Sequence, residues 1–222
     1  MQTNMGFQAA SQHSAVEINK VLKNTYMLLS MTLAFSAVTA GISMAMGLSH
    51  MVALVMTLAA FGLLFVVNKQ ADKASGIFWI FAFTGLMGAS LGPMLNHYAA
   101  MPGGPSLIMQ ALGGTALIFF ALSGYALTSK KDFSFMGGFL MVGLIVAVIA
   151  MVANIFFQIP ALSLAISAAI IMIMSGLILF DTSRIIHGGE TNYIRATVSL
   201  YLNIYNIFVH LLSLLGVFGS DD

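Results

Sequence analysis

The chain has 222 residues, of which 59% are hydrophobic and only 7% charged. A water-soluble domain carries about 25% charged residues, so this chain cannot cover a water-facing surface and must present one to lipid. A net charge of +1 without a basic tract argues against nucleic acid as a partner, and the lack of cysteine excludes disulfides and thiolate metal sites.

Residues 1–19 are polar and lack a basic segment leading into a short apolar core, so they do not read as a cleaved signal. Residues 1–24 are expected to form a flexible cytoplasmic tail, and 25–222 a single membrane domain. A helix needs roughly 20 apolar residues to cross the ~30 Å hydrocarbon core. Seven runs meet or approach that length: 25–47, 51–67, 76–95, 107–127, 134–157, 161–181 and 196–218. They are continuous rather than alternating, which excludes a membrane β-barrel. The expected fold class is an all-α polytopic membrane protein with seven transmembrane helices.

The basic residues set an orientation. Lys20 and Lys23 precede the first span. Lys69 and Lys73 lie between the second and third, Lys130 and Lys131 between the fourth and fifth, and Arg184 and Arg195 between the sixth and seventh. With seven spans, all of them fall on one side. The positive-inside rule makes that side cytoplasmic, together with the N-terminus, and places the C-terminus outside.

The third span carries Gly85, Gly88 and Gly92 at spacings of three and four. Small residues at this period form a groove for close helix packing. Pro93 follows and is expected to kink or end the helix. Gly113 and Gly114 are expected to do similar work on the fourth span.

The sixth span ends on Asp181, an acid set against Leu179 and Phe180. An intramembrane carboxylate marks a functional candidate. Arg184, three residues on, offers a local ion-pair partner on the same helical face. The seventh span places Ser199, Asn203, Asn206, His210 and Ser213 at spacings of four, three, four and three, on one narrow face. A polar stripe is costly against lipid, so it should face the bundle interior and make this span central. It either hydrogen-bonds helices together or lines a hydrated path. Asp181 and Asn203 meet if the last two spans pack as an antiparallel pair. His210 is the titratable group on the stripe. His187 and Glu190 lie in a glycine-containing loop whose ligand set is too thin for a metal site. No nucleophile–base pair or phosphate loop appears, so neither an enzyme nor a cofactor is expected.

The stretches "GASLGPML" (88–95) and "ALGGTALIFF" (111–120), with the acid in "LILFDTSRIIHGG", resemble the Bax-inhibitor family of seven-span membrane proteins. The segments 20–40, 151–168 and 185–201 are similar to a proteobacterial branch of it. The resemblance runs from about residue 20 to the end. It implies six helices around a central seventh, in the bacterial inner membrane. Members of that branch are described as slow substrates and modulators of FtsH, a membrane-anchored ATP-dependent protease. The resemblance therefore implies FtsH as a partner, occupied by this chain so that other membrane proteins are shielded. A processive protease needs a flexible end to grip, and the tail supplies one. Other members behave as proton-sensitive calcium leaks, in which an acid ending the sixth span pairs with a second acid in the seventh. Asp181 matches the first position. Asn203 stands at the second and cannot ionise, so the coupled titration of two carboxylates is lost. A proton-sensitive calcium or cation leak along the sixth and seventh spans is the alternative function.

Overall fold

The computed structural model describes residues 3–129 and 131–219, with side chains from Val16 onward. Its helices are α1 (Thr3–Ala45), α2 (His50–Gln70), α3 (Gly76–Ser90), α4 (Gly92–Ala99), α5 (Gly104–Ser129), α6 (Gly137–Phe157), α7 (Pro160–Ile186) and α8 (Tyr193–Phe218), with a 3-10 turn at Ser134–Met136 before α6. No strand occurs among the described residues. Seven segments are long and apolar enough to cross a membrane, α3 and α4 together forming the third.

Local chemistry explains the boundaries. Ser49 caps α2 through the Val52 N–H. The third span breaks between Ser90 and Gly92, because Pro93 lacks an N–H and its ring would strike the carbonyl one turn back. α6 ends where Gln158 adopts a left-handed φ of 51°, and Pro160 opens α7. Asn192 caps α8, accepting from the N–H groups of Ile194 and Arg195. In the α5–α6 connection, Ser134 donates to Asp132 and holds its carboxyl below the usual carboxylate range.

α1 is helical from Thr3, and no proline interrupts the stretch into the first span. The segment expected as a flexible tail therefore continues that span as helix. Of its described side chains, Glu17, Asn19 and Lys20 are exposed, and contact with the core begins at Val21 and Leu22. Side chains before Val16, and residues 220–222 of the expected outer C-terminus, lie outside the described residues.

α8 lies against α1, α2, α3, α5 and α7, while α6 packs principally on α7. The seventh span is thus central, with the fifth span set off from it. The core centres on Phe83, Ile178, Leu200, Tyr201 and Ile207, each fully buried. A smaller cluster of Leu91, Leu95, Ala111 and Leu212 closes the other end. The outer faces of α2 and α6 carry Phe65, Phe139 and Phe156, exposed to about four-fifths. So large an exposed apolar surface is a lipid-facing belt.

Gly85, Gly88 and Gly92 of the third span seat α1. A Cβ on Gly85 would meet the Phe35 ring, one on Gly88 the backbone carbonyl of Ser36, and one on Gly92 the Ser43 side chain. On the fourth span only one of the two expected glycines lies at a helix contact: a Cβ on Gly114 would meet the Leu211 side chain of α8, whereas Gly113 faces open space. Gly113 is on the outer face of α5, where no helix needs to come close.

Candidate functional site

The last two spans are joined by a short connection, Gly188 supplying the left-handed turn with φ 73°. They pack along one another. This brings Asp181, five residues before the end of α7, level with Asn203, which is 4% exposed. The Asn203 amide donates to Asp181 Oδ2 at 2.8 Å.

Arg184 is engaged elsewhere. Its Nη2 donates to the Gly189 carbonyl at 3.1 Å and lies 3.8 Å from Glu190. Its guanidinium sits over the Phe180 ring at 5.6 Å. The local Asp181–Arg184 ion pair expected as one option is not formed. The helix has ended by Gly189, so the backbone carbonyls there compete for the guanidinium on the solvent side. Glu190, expected in a solvated loop, is a working part of that loop: it accepts from the Asn192 N–H.

The polar stripe of α8 divides into separate levels. Asn203 serves Asp181. Asn206 donates to the Leu202 carbonyl of its own helix at 2.8 Å. His210 Nδ1 lies 3.2 Å from Ser167 Oγ on α7. His210 and Ser213 line a cavity of about 320 Å³ with Asn154, Ser163 and Met151. That cavity lies where α6 faces α8 without packing on it.

A second polar line on α8 escaped the sequence analysis. Thr197 donates to the Thr25 carbonyl, and Tyr201 donates to the Thr84 carbonyl and shares a 2.7 Å hydrogen bond with Ser36. Tyr205 bonds Ser90 at 3.3 Å. The signal was present as hydroxyls on the first span at Thr25, Thr32, Ser36 and Ser43, spaced seven, four and seven. They face the interior because each is buried on the side of α1 that meets α3 and α8. Tyr201→Phe should cost about 1–2 kcal/mol, since it strands buried Ser36 while leaving the edge-on contact with Phe83 intact. Unfolding in mixed detergent micelles measures this, and a change within error of zero would reject it.

At the lysine- and arginine-bearing end, Asn192 also donates to the Ala71 carbonyl and to Asp72, and Arg195 pairs with the same carboxylate. The α7–α8 loop is thereby tied to the α2–α3 loop. Among the described residues no three His, Asp or Glu side chains converge to hold a metal.

The fold and these contacts define a multi-pass α-helical membrane protein whose last two spans are linked by a carboxylate–amide hydrogen bond. The chain belongs to the Bax inhibitor family: the family described as inhibitor of apoptosis-promoting Bax1 matches residues 18–220. It is 57% identical over 209 residues to the Modulator of FtsH protease YccA of Escherichia coli K12, covering 94% of each chain. An Escherichia coli O6:H1 relative with the same identity and coverage carries the name Inner membrane protein YccA. A Vibrio cholerae membrane protein is 56% identical over 223 positions, covering all of both chains.

Proposed function

We propose that this chain is an inner-membrane modulator of the protease FtsH, acting as a slow substrate that occupies the enzyme and shields other membrane proteins from it. The observation that carries this is the 57% identity, over nearly the whole of both chains, to a protein named as a modulator of that protease. The placement of the basic residues supports a cytoplasmic N-terminus and an outer C-terminus.

The physical basis of slowness is a contrast within one chain. Among the described side chains of α1, core contacts begin at Val21, and a helix held only by its own hydrogen bonds is marginal in water. Such a segment unwinds readily and serves as a handle. Behind it stands a seven-span bundle whose interior is cross-bonded from α1 to α8. A protease that pulls on the handle stalls against that bundle. Asp181 and Asn203 contribute as a staple between the last two spans, with Arg184 holding the loop beside them; Asn206 and His210 pack the remainder of α8.

The test uses FtsH reconstituted in vesicles with a second membrane substrate, and follows the loss of that substrate. The intact chain is expected to slow the loss severalfold, and removal of residues 2–18 to abolish its own degradation and weaken the protection. If neither form changes the rate, the proposal fails. A calcium flux sensitive to Asp181→Ala would then favour a cation leak through the last two spans.

A further inference from the structure

α1 and α5 are neighbours on the surface of α8 but are not packed on one another. Between them lies a cavity of about 720 Å³ within the membrane-spanning region, floored by Tyr201, Ile204 and Phe208 of α8. It is bounded at both ends. At the lysine-bearing end the Tyr26 hydroxyl bonds Ser123, joining α1 to α5. At the other end α4 packs on both helices, and Leu95 of α4 and Leu91 just before it contribute to the wall. The long side is open to the lipid face, where Ala37, Gly41, Leu112 and Ala116 are exposed.

We propose that this slot binds one acyl chain of a membrane phospholipid.

Three observations decide the occupant. The first concerns water, which needs two to four polar partners to reside in a cavity. Every hydroxyl in the lining is already engaged: Tyr26 with Ser123, Ser30 and Thr115 with backbone carbonyls of their own helices, Ser36 with Tyr201, and Tyr205 with Ser90. The remaining wall is apolar, so the slot favours hydrocarbon. The second is size. Both ends of the slot are closed, whereas a partner's transmembrane helix must run the ~30 Å depth of the hydrocarbon core and so cannot lie along it. A flexible single chain fits a bounded slot of this volume, which lies within the ~300–1,000 Å³ usual for small-molecule sites. The third is charge. Lys23 lies three residues before Tyr26, on the same side of α1, where a lipid phosphate resides when its chain enters the slot. This inference does not depend on the action of the chain toward FtsH.

The experiment uses the full-length protein in phosphatidylethanolamine–phosphatidylglycerol vesicles doped with a phosphatidylethanolamine bearing a photoreactive diazirine midway along one acyl chain. Adducts are mapped by mass spectrometry after irradiation. Ile204 and Phe208 are expected to be labelled, although both are less than a tenth exposed. Two variants fill the slot: Ala37→Phe combined with Ala116→Phe, and Gly41→Leu, where an added Cβ meets nothing within 4 Å. Each should reduce labelling of α8 at least tenfold. Labelling of lipid-facing Phe139 and Val146 on α6 should stay unchanged, which shows that the bundle is folded and in lipid. Wild-type protein without α8 adducts overturns the proposal. So does α8 labelling that persists in Gly41→Leu with the α6 adducts intact. Protein–protein crosslinks between copies through a photoreactive residue at position 112, in place of lipid adducts, would assign the slot to a second copy and also overturn it.

Discussion

Replacing Asn203 by leucine is expected to destabilise the bundle by about 3 kcal/mol, the upper end of the range for a hydrogen bond to a charged group. The amide is the buried partner of Asp181, and Arg184 is turned toward Gly189 and Glu190. Leucine nearly conserves volume, so little of the loss comes from packing. The carboxylate is left facing an apolar side chain. Asp181→Leu in the same background removes the stranded acid, and the double variant should recover much of the loss. A double-mutant cycle measured by unfolding in mixed micelles should give a coupling of about 1.5–3 kcal/mol. An Asn203→Leu protein within about 0.5 kcal/mol of wild type would show that the bond contributes no more than an ordinary surface change. If degradation is limited by extraction of the bundle, the same variant should be degraded severalfold faster by FtsH. Its protection of a second substrate should fall in parallel.

Gly88→Val should destabilise by about 3 kcal/mol, at the top of the usual range for overpacking. The added Cβ would collide with the Ser36 backbone carbonyl and the Thr39 and Ser36 hydroxyls. A backbone carbonyl cannot rotate aside, so α3 must move away from α1. That movement also pulls Thr84 and Ser36 from their shared partner Tyr201. Gly113→Ala supplies the contrast. Its new methyl meets nothing within 4 Å, and alanine is favoured over glycine in a helix by about 1 kcal/mol. Gly113→Ala is therefore expected to be neutral or stabilising. Equal losses at the two positions would reject this account of the α1–α3 contact.

If FtsH extracts this chain as proposed, the same two contacts should determine how firmly the bundle resists. The Asn203 bond joins the last two spans, and the Gly88 contact holds the first span to the third. Pulling from the N-terminus loads the α1 contacts first. Gly88→Val should therefore affect the early part of extraction and Asn203→Leu the late part. Partial degradation products separate the two.

The seven spans, their near-complete boundaries and the central place of the last span were legible in the sequence, because length and hydropathy alone decide what crosses a bilayer. The break before Pro93 was legible for the same kind of reason: a missing N–H acts whatever the surroundings. The spacing of Gly85, Gly88 and Gly92 marked one face of the third span, and α1 approaches that face. The meeting of Asp181 with Asn203 was also in reach, since an antiparallel pair of helices with a short loop admits few registers. Partner choice was not. Arg184 was equally placed for Asp181 and for the loop, and only the turn at Gly188–Gly189 brought a carbonyl and Glu190 nearer. Gly113 and Gly114 look alike in sequence, yet adjacent residues on a helix point about 100° apart. One faces Leu211 and the other the lipid side. The bonding of Tyr201 to Ser36, 165 residues away, and the slot between α1 and α5 are properties of how helices are arranged around α8. No local pattern encodes that arrangement, because each helix would satisfy its own backbone equally well in any of them.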